Sequence, residues 1–408
     1  MQTYSFPKKT KKTILALGAE SDGNFCFFAQ GKIYFSESFG DLLEEKNWQK
    51  YQKAVLEFLR KNKFKPDIII TDLHPLYLTS AWGKALGEKY KAKHIQVQHH
   101  LAHIFSAIGD SIISGGTCPV KRDSVFYGVA MDGTGYGENG KIWGGEVFKI
   151  SKSKFPISNQ IQKSKIKIER IGHLENQTLI GGDLAIREPA RMLISILNKA
   201  FSSLMSPLLT KERVRVRLRG ETQRKNAIYR SVKKYYTKNE FELIHNQLKQ
   251  NFNCLETSST GRILDAVSLL LGFCGNERKY KHGPIALLEA NSGKPYTDIK
   301  PKIILSQDKR VLSTTFLFEY LVKNLHEDKK RLAATAQRYI AQGLYEIIKK
   351  DIPNTRYQIP DTFLAGGIAN NKIISDYLIS QGAYANKIVP RGDAGLSFGQ
   401  VVYYLFSR

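Results

Sequence analysis

Residues 13–36 of this 408-residue chain are echoed by residues 125–150. In each stretch an apolar run (ILAL at 14–17, VFYGVAM at 125–131) leads into a small, acidic, glycine-containing turn and then into a pair of short strand-like segments. Helical patterns follow both. A unit of this kind used twice predicts a duplicated α/β architecture of two lobes with a ligand cleft between them. The loop GGTCPVKRD (115–123), rich in turn and charged residues, is the expected boundary. That gives an N-terminal lobe over 1–120 and a C-terminal lobe over 121–408, with a basic insertion near 151–260.

The remaining periodicity fills in the lobes. Residues 46–63 and 79–92 predict helices, DIIITDLHP after Pro66 a buried strand, His94–Gln98 a short strand, and a helix begins near His99. RVRVRLR (213–219) alternates strictly and predicts a strand with one basic face, a binding surface for RNA or an acidic partner, or simply an exposed sheet face. A helix is expected within 261–290, a long amphipathic one over 328–350, strand, turn and helix over 361–383, and a turn and helix at the end.

Several classes are excluded. The longest apolar runs, such as Ile68–Ile70, are strand-sized and too short to span a bilayer. Ile14–Leu17 is too short for the core of a signal peptide. Cys26, Cys118, Cys254 and Cys274 form no CxxC pair, which speaks against a zinc finger or disulfide framework and fits a reducing cytoplasm. The net charge of +25 favours anionic partners such as nucleotide, RNA or an acidic protein surface, although a lysine-rich solvated surface gives the same number.

Four short constellations could carry chemistry. In QHHLAH (98–103), His99 and His103 stand four apart, so on a helix they share a face and can share a metal ion. Hydrogen-bonded histidines at a helix start would read the same way. In DGTGYG, Asp132 ends an apolar strand, and Gly133, Thr134 and Gly135 can bring bare backbone N–H groups to metal and phosphate, unless this is a plain hairpin turn. In GGIANN, Gly366 and Gly367 precede a helix whose N-terminus favours phosphate, and Asn371 could bond a nucleotide. Asp393, in RGDAGL, is a further metal ligand or a helix N-cap. Two histidines with carboxylates suit zinc or ferrous iron with positions left open for substrate.

These stretches, with ILALGAE, ITDLHPLYLTS, GGDLAIREPARM and GRILDAVSLLLG, resemble in order the carboxy-terminal half of the HypF family, the hydrogenase-maturation carbamoyltransferases. DGTGYG with WGGE, and GGDxAIREPxR, are its most specific elements. The resemblance implies an actin/sugar-kinase-like two-lobed fold, shared with the more distant tRNA threonylcarbamoyl transferases. It implies that His99, His103, Asp132 and Asp393 are metal ligands, the first three also catalytic. It assigns nucleotide binding to Gly133, Thr134, Gly135, Gly366, Gly367 and Asn371, to Asp183 and Arg187 of GGDxAIREPxR, a motif that also contains Arg191, and, by a looser match, to Asp265 and Gly283. Leu101 stands where the family often has a third histidine, and KYKHGPIALLEA lacks the family's usual acidic residue at the matching place.

The resemblance further implies transfer of a carbamoyl group from carbamoyl-adenylate to the C-terminal cysteine of a hydrogenase-maturation partner, assisted by zinc or iron. The family's amino-terminal acylphosphatase-like region, zinc modules and adenylate-forming domain have no counterpart in the sequence. A separate protein would therefore supply the carbamoyl-adenylate. Three rivals stand: carbamoyl transfer to a small-molecule hydroxyl, tRNA modification, and a degenerate nucleotide-binding paralogue. HHLAH differs from the glutamate- and glycine-containing spacing of the tRNA branch, which argues against nucleic acid.

Overall fold

The structure, a computed structural model, describes residues 1–8, 10–116, 124–154, 164–204, 213–353 and 360–407. Two mixed sheets organise it. The first contains β1 (Gln2–Ser5), β2 (Ile14–Ala16), β3 (Cys26–Ala29), β4 (Lys32–Phe35), β5 (Ile68–Asp72) and β6 (Lys93–Val97), in the order β1-β4-β3-β2-β5-β6. The second is built on β7 (Val125–Tyr136), β8 (Ile142–Lys154) and β9 (Ser164–Leu174). β11 (Cys254–Thr257) attaches to β8 and carries β10 (Gln177–Ile180) on its other side, and β12 (Ile303–Ser306), β13 (Lys309–Leu312), β14 (Thr362–Ala365) and β15 (Ala383–Ala385) complete it in the order β12-β13-β9-β8-β7-β14-β15.

The echo in the sequence is a repeated topology. In each sheet a first strand pairs antiparallel with a second, which pairs antiparallel with a third. On its other side the first strand pairs parallel with a fourth, and the fourth parallel with a fifth. The series is β2, β3, β4, β5, β6 in one sheet and β7, β8, β9, β14, β15 in the other. The expected two-lobed, duplicated α/β fold is what forms. The central strands read as continuous apolar runs because both faces are covered; every residue of β2 and β5 is buried.

Helices α1 (Glu45–Lys61), α2 (Leu78–Tyr90) and α3 (His99–Ile113) belong to the first half. In α1, Tyr51, Val55 and Leu59 recur every four residues and form its buried stripe. The second half contains α4 (Leu184–Arg187), α5 (Pro189–Leu204), α6 (Arg213–Val232), α7 (Lys238–Gln250), α8 (Thr260–Leu271), α9 (Gly283–Ala290), α10 (Thr314–Lys323), α11 (Lys329–Lys349), α12 (Lys372–Ser380) and α13 (Leu396–Ser407).

Two helices fill the space between the sheets and place the site. α3 lies on β7 and β14, α13 lies on β2, β3 and β5, and the two pack on each other. Their apolar side chains, Phe105, Ile108, Phe398 and Val402 among them, join Ile14, Ile70, Ala130 and Phe363 of both sheets in one core. The approach is backbone-close: a Cβ at Gly399 would stand 1.8 Å from the carbonyl oxygen of Ala102. The N-terminus of α3 and the turn before α13 therefore meet at one end of this layer.

Three expectations are corrected. Residues 213–219 are helical, the start of α6, rather than a strand. Arginine is a strong helix former, and seven alternating residues carry less weight than the 20-residue helix they begin. The stretch 261–290 is two helices, α8 ending at Gly272 with φ +82° and α9 starting at Gly283. DGTGYG is not a turn: β7 runs through it with a register shift between Met131 and Gly135 that bulges Asp132 out of the ladder. The expected lobe boundary falls mostly at 117–123, outside the described residues, as do parts of the basic stretch at 155–163 and 205–212. Cys26, Cys254 and Cys274 are free thiols, and Cys118 lies outside the described residues.

Candidate metal centre

β6 ends at Val97 and α3 begins at His99, so the two histidines of the first turns enter the space between the sheets at once. Gln98 caps the helix by accepting from the Leu101 N–H at 3.0 Å. His99 and His103, four residues apart, turn the same way, and their Nε2 atoms lie 3.1 Å apart. Asp132 on the β7 bulge brings Oδ2 to 3.1 Å from His99 Nε2 and 3.8 Å from His103 Nε2. Asp393, in the turn before α13, brings Oδ1 to 3.4 Å from both. One donor atom from each of the four lies within 4.8 Å of the others. Two imidazole nitrogens and two carboxylate oxygens aimed at one point are a donor set suited to a divalent ion.

The surroundings prepare that set. The His99 Nδ1–H donates to Asp72 Oδ2 at 2.7 Å, which leaves the Nε2 lone pair facing the centre. Burial disfavours the charged form of His99, but the carboxylates of Asp72, Asp132 and Asp393 outweigh it and raise its pKa well above the usual value. Burial pushes the Asp132 and Asp393 carboxyls up, yet the two histidines hold both well below the usual range, with Lys281 helping at Asp393. His100 faces elsewhere. Burial and the neighbouring His99 lower its pKa to about 4, and its ring packs where a Cβ on Gly135 would stand 2.3 Å from Cε1.

Asp72 closes β5 as Asp132 interrupts β7, but the sequence reading assigned it nothing. An Asp72→Asn substitution removes the charge that orients His99 and raises its basicity. Zinc affinity is expected to fall about tenfold or more, measured by competition with a chelating dye; an unchanged affinity would deny Asp72 that role.

Asp132 and Asp393 line a cleft of about 510 Å³, and His99 and His103 lie buried directly behind them. Glu20, Ser21, Tyr77 and Asp41 line it from the first half, and Gly133, Thr134, Ile186, Arg187, Gly367 and Ile368 from the second. One wall gathers basic residues, Arg187, Arg262, Arg278, Lys281 and His282, the last with its pKa lowered by burial and by the adjacent Lys281 and Arg278. Burial and the adjacent Arg262 lower the Arg278 pKa to about 10. Nε of Arg262 and Nε of Arg278 are buried without a hydrogen-bond partner. Guanidinium groups placed together with free donors could take an anion.

The other expected residues divide. Arg187, Gly133, Thr134 and Gly367 line the cleft, although the Gly133 N–H is already bonded to Asp132 Oδ1 at 2.7 Å and is not free for phosphate. Gly135 does not line it and instead makes room for His100. Gly366, with φ +94°, lets its turn pass over Met131, whose carbonyl oxygen would be 2.2 Å from a Cβ. Asn371 is turned away: it caps α12 at Ile374 N and donates to Gln337 Oε1 at 2.7 Å. Asp265 is buried behind the wall, 3.0 Å from Arg262 Nη2. Asp183 is exposed at the start of α4, Arg191 pairs with Glu188 at 2.7 Å, and Gly283 packs on Tyr280 outside the cleft lining. The basic residues at 262, 278, 281 and 282 were not assigned from the sequence, because their convergence depends on the tertiary fold.

Comparison with known families decides the kinship. The family model described as "Carbamoyltransferase, Kae1-like Domain, second subdomain" matches residues 128–400, and "HypF Kae1-like domain" matches residues 9–110. The chain belongs to the HypF carbamoyltransferase family. It is 36% identical to the "Probable carbamoyltransferase HypF" of Methanocaldococcus jannaschii over 97% of its own length and 47% of that protein's. It is 26% identical to a "Carbamoyltransferase HypF homolog" of Cupriavidus necator, covering 95% of this chain and 90% of that one. The crystal structure of T. kodakarensis HypF superposes with a TM-score of 0.79 at 26% identity, over 99% of this chain and 48% of that one. A full-length HypF in a phosphate- and nucleotide-bound form superposes at 0.77 and 24% identity, over 99% and 57%. The chain thus spans about half the length of the HypF of M. jannaschii. Among the described residues no helix is long and apolar enough to cross a membrane.

Proposed function

We propose that this HypF-family chain transfers a carbamoyl group from carbamoyl-adenylate to the C-terminal cysteine thiol of a hydrogenase-maturation partner in the cytoplasm. A separate adenylate-forming protein or domain would supply the donor. The observation that carries the proposal is a cleft where two carboxylates, backed by two buried histidines, face a wall of arginines with buried Nε atoms that lack a partner. An acyl-phosphate ester needs both: an anion-binding wall for its phosphate and an electrophilic centre for its carbonyl. His99, His103, Asp132 and Asp393 would hold zinc or iron, whose Lewis acidity would polarise the donor's oxygens.

The chain's own groups do the rest. Arg187, Arg262 and Arg278 take the phosphate and stabilise the charge that grows on it as AMP leaves. The acceptor sulfur, as thiolate, forms a bond to the carbamoyl carbon. The carbon–oxygen bond to phosphate breaks, its electron pair departs with AMP, and the thiol proton passes to solvent. That a related full-length HypF takes a phosphate- and nucleotide-bound form supports a nucleotide donor. The test is transfer of labelled carbamoyl from carbamoyl-adenylate, with zinc or ferrous iron, to a partner protein ending in cysteine. Label on the thiol is expected. Binding of the adenylate without transfer to the thiol would overturn this acceptor in favour of a small-molecule hydroxyl or a purely binding role.

A further inference from the structure

Lys281 stands in the segment where the sequence departs from its family resemblance, and its surroundings give it a definite position. Its ammonium lies 3.1 Å from Asp393 Oδ2, 3.1 Å from Asp22 Oδ2 and 3.0 Å from Ser21 Oγ. An ammonium has three hydrogens, and all three find an oxygen. Those oxygens come from different parts of the chain: Ser21 and Asp22 from the turn after β2, and Asp393 from the turn before α13. Lys281 itself precedes α9 on the basic wall. Ser21 also donates to the same Asp393 oxygen.

The two oxygens of Asp393 are therefore divided. Oδ1 faces His99 and His103 at 3.4 Å from each, while Oδ2 is held by Lys281 and Ser21. We propose that Lys281 is a positioning residue of the metal centre: it clasps the outer oxygen of Asp393, so that this carboxylate offers the ion one oxygen and leaves a coordination position for substrate. This rests on the metal reading of the site. The clasp also ties the cleft's basic wall to the first lobe's opening turn at Ser21 and Asp22. Without it, only the Ser21 hydroxyl holds Oδ2, and Asp393 can more readily rotate away from the histidines or chelate through both oxygens.

Cobalt(II) reads this directly, because its visible absorption reports ligand number and geometry. The 408-residue protein is titrated with cobalt alone, beside Lys281→Met and Lys281→Arg. Lys281→Met is expected to bind cobalt roughly 10- to 100-fold more weakly with an altered absorption band. Lys281→Arg, which keeps the cation, should return both toward the parent. Parental affinity and spectrum in a folded Lys281→Met protein would overturn the clasp and leave the metal reading intact. No cobalt binding by the parent itself would overturn the metal reading and the clasp with it. Should Lys281→Met fail to fold, Asp22→Asn carries the test: it loosens Lys281 without touching a ligand, so weaker cobalt binding supports the clasp and parental binding overturns it.

Discussion

A His103→Ala protein is expected to lose stoichiometric zinc or ferrous iron while keeping its fold, and to lose carbamoyl transfer with it. His103 contributes one of four converging donors and is 1% exposed, with its Nε2 3.1 Å from that of His99. Losing an outer partner of a metal ligand costs roughly 10- to 100-fold in affinity, and losing a ligand itself costs more. Linkage gives a second readout. An ion at 100 times its dissociation constant stabilises the folded chain by about 2.7 kcal/mol. The parent should therefore melt at a higher temperature with zinc than without, and the variant should not. The truncation vacates a small buried volume between α3 and the bulge of β7, and the cores around α3 and α13 remain, so the metal-free melts should stay close. Equal zinc-dependent stabilisation in both proteins would remove His103 from the centre.

Much of this candidate site was legible because each of its four donors sits where an element begins or breaks. His99 and His103 open a helix straight after a strand, Asp132 follows an apolar run, and Asp393 sits in a glycine-bounded turn before a helix. Local signals mark such junctions, and the duplicated strand pattern was visible for the same reason. What was not legible depended on distance. Arg262 and Arg278 reach the cleft from α8 and the loop behind it, and nothing local distinguishes them from other arginines. Asp72 was quoted within its strand but assigned no role, because its partner, the Nδ1 of His99, lies 27 residues on. Asn371 and Asp265 show the opposite error. A polar residue next to a glycine turn or within a family stretch reads as a ligand contact, yet one caps a helix and the other supports an arginine from beneath. The strand expected at 213–219 failed because alternation over seven residues is a weak signal beside the propensity of the longer segment.

The second large effect is structural and lies away from the cleft. Asp110, on the buried face of α3, is fully enclosed. Its carboxylate accepts from the backbone N–H groups of Lys387, Ile388 and Val389 at 2.8, 2.8 and 2.6 Å, and from the Tyr384 hydroxyl at 2.7 Å. Three consecutive amides that leave β15 thus find their acceptors on one side chain of a distant helix. In Asp110→Ala those donors lose their partner inside the protein, at about 1–3 kcal/mol for each one that water cannot reach. Val389 is buried while Lys387 and Ile388 are more open, so the expected loss is about 3–5 kcal/mol rather than the sum of three full penalties. Asp110→Asn keeps one carbonyl acceptor but turns an NH₂ group toward the amides, and should recover only part of that loss. Urea unfolding measures both. The consequence reaches the metal centre, because the chain pinned at 387–389 delivers Asp393 four residues later. Asp110→Ala should therefore weaken zinc binding as well as lower the unfolding midpoint, although Asp110 is not among the four donors. A variant that loses stability but binds zinc as the parent does would show that Ser21 and Lys281 hold Asp393 in place without help from this loop.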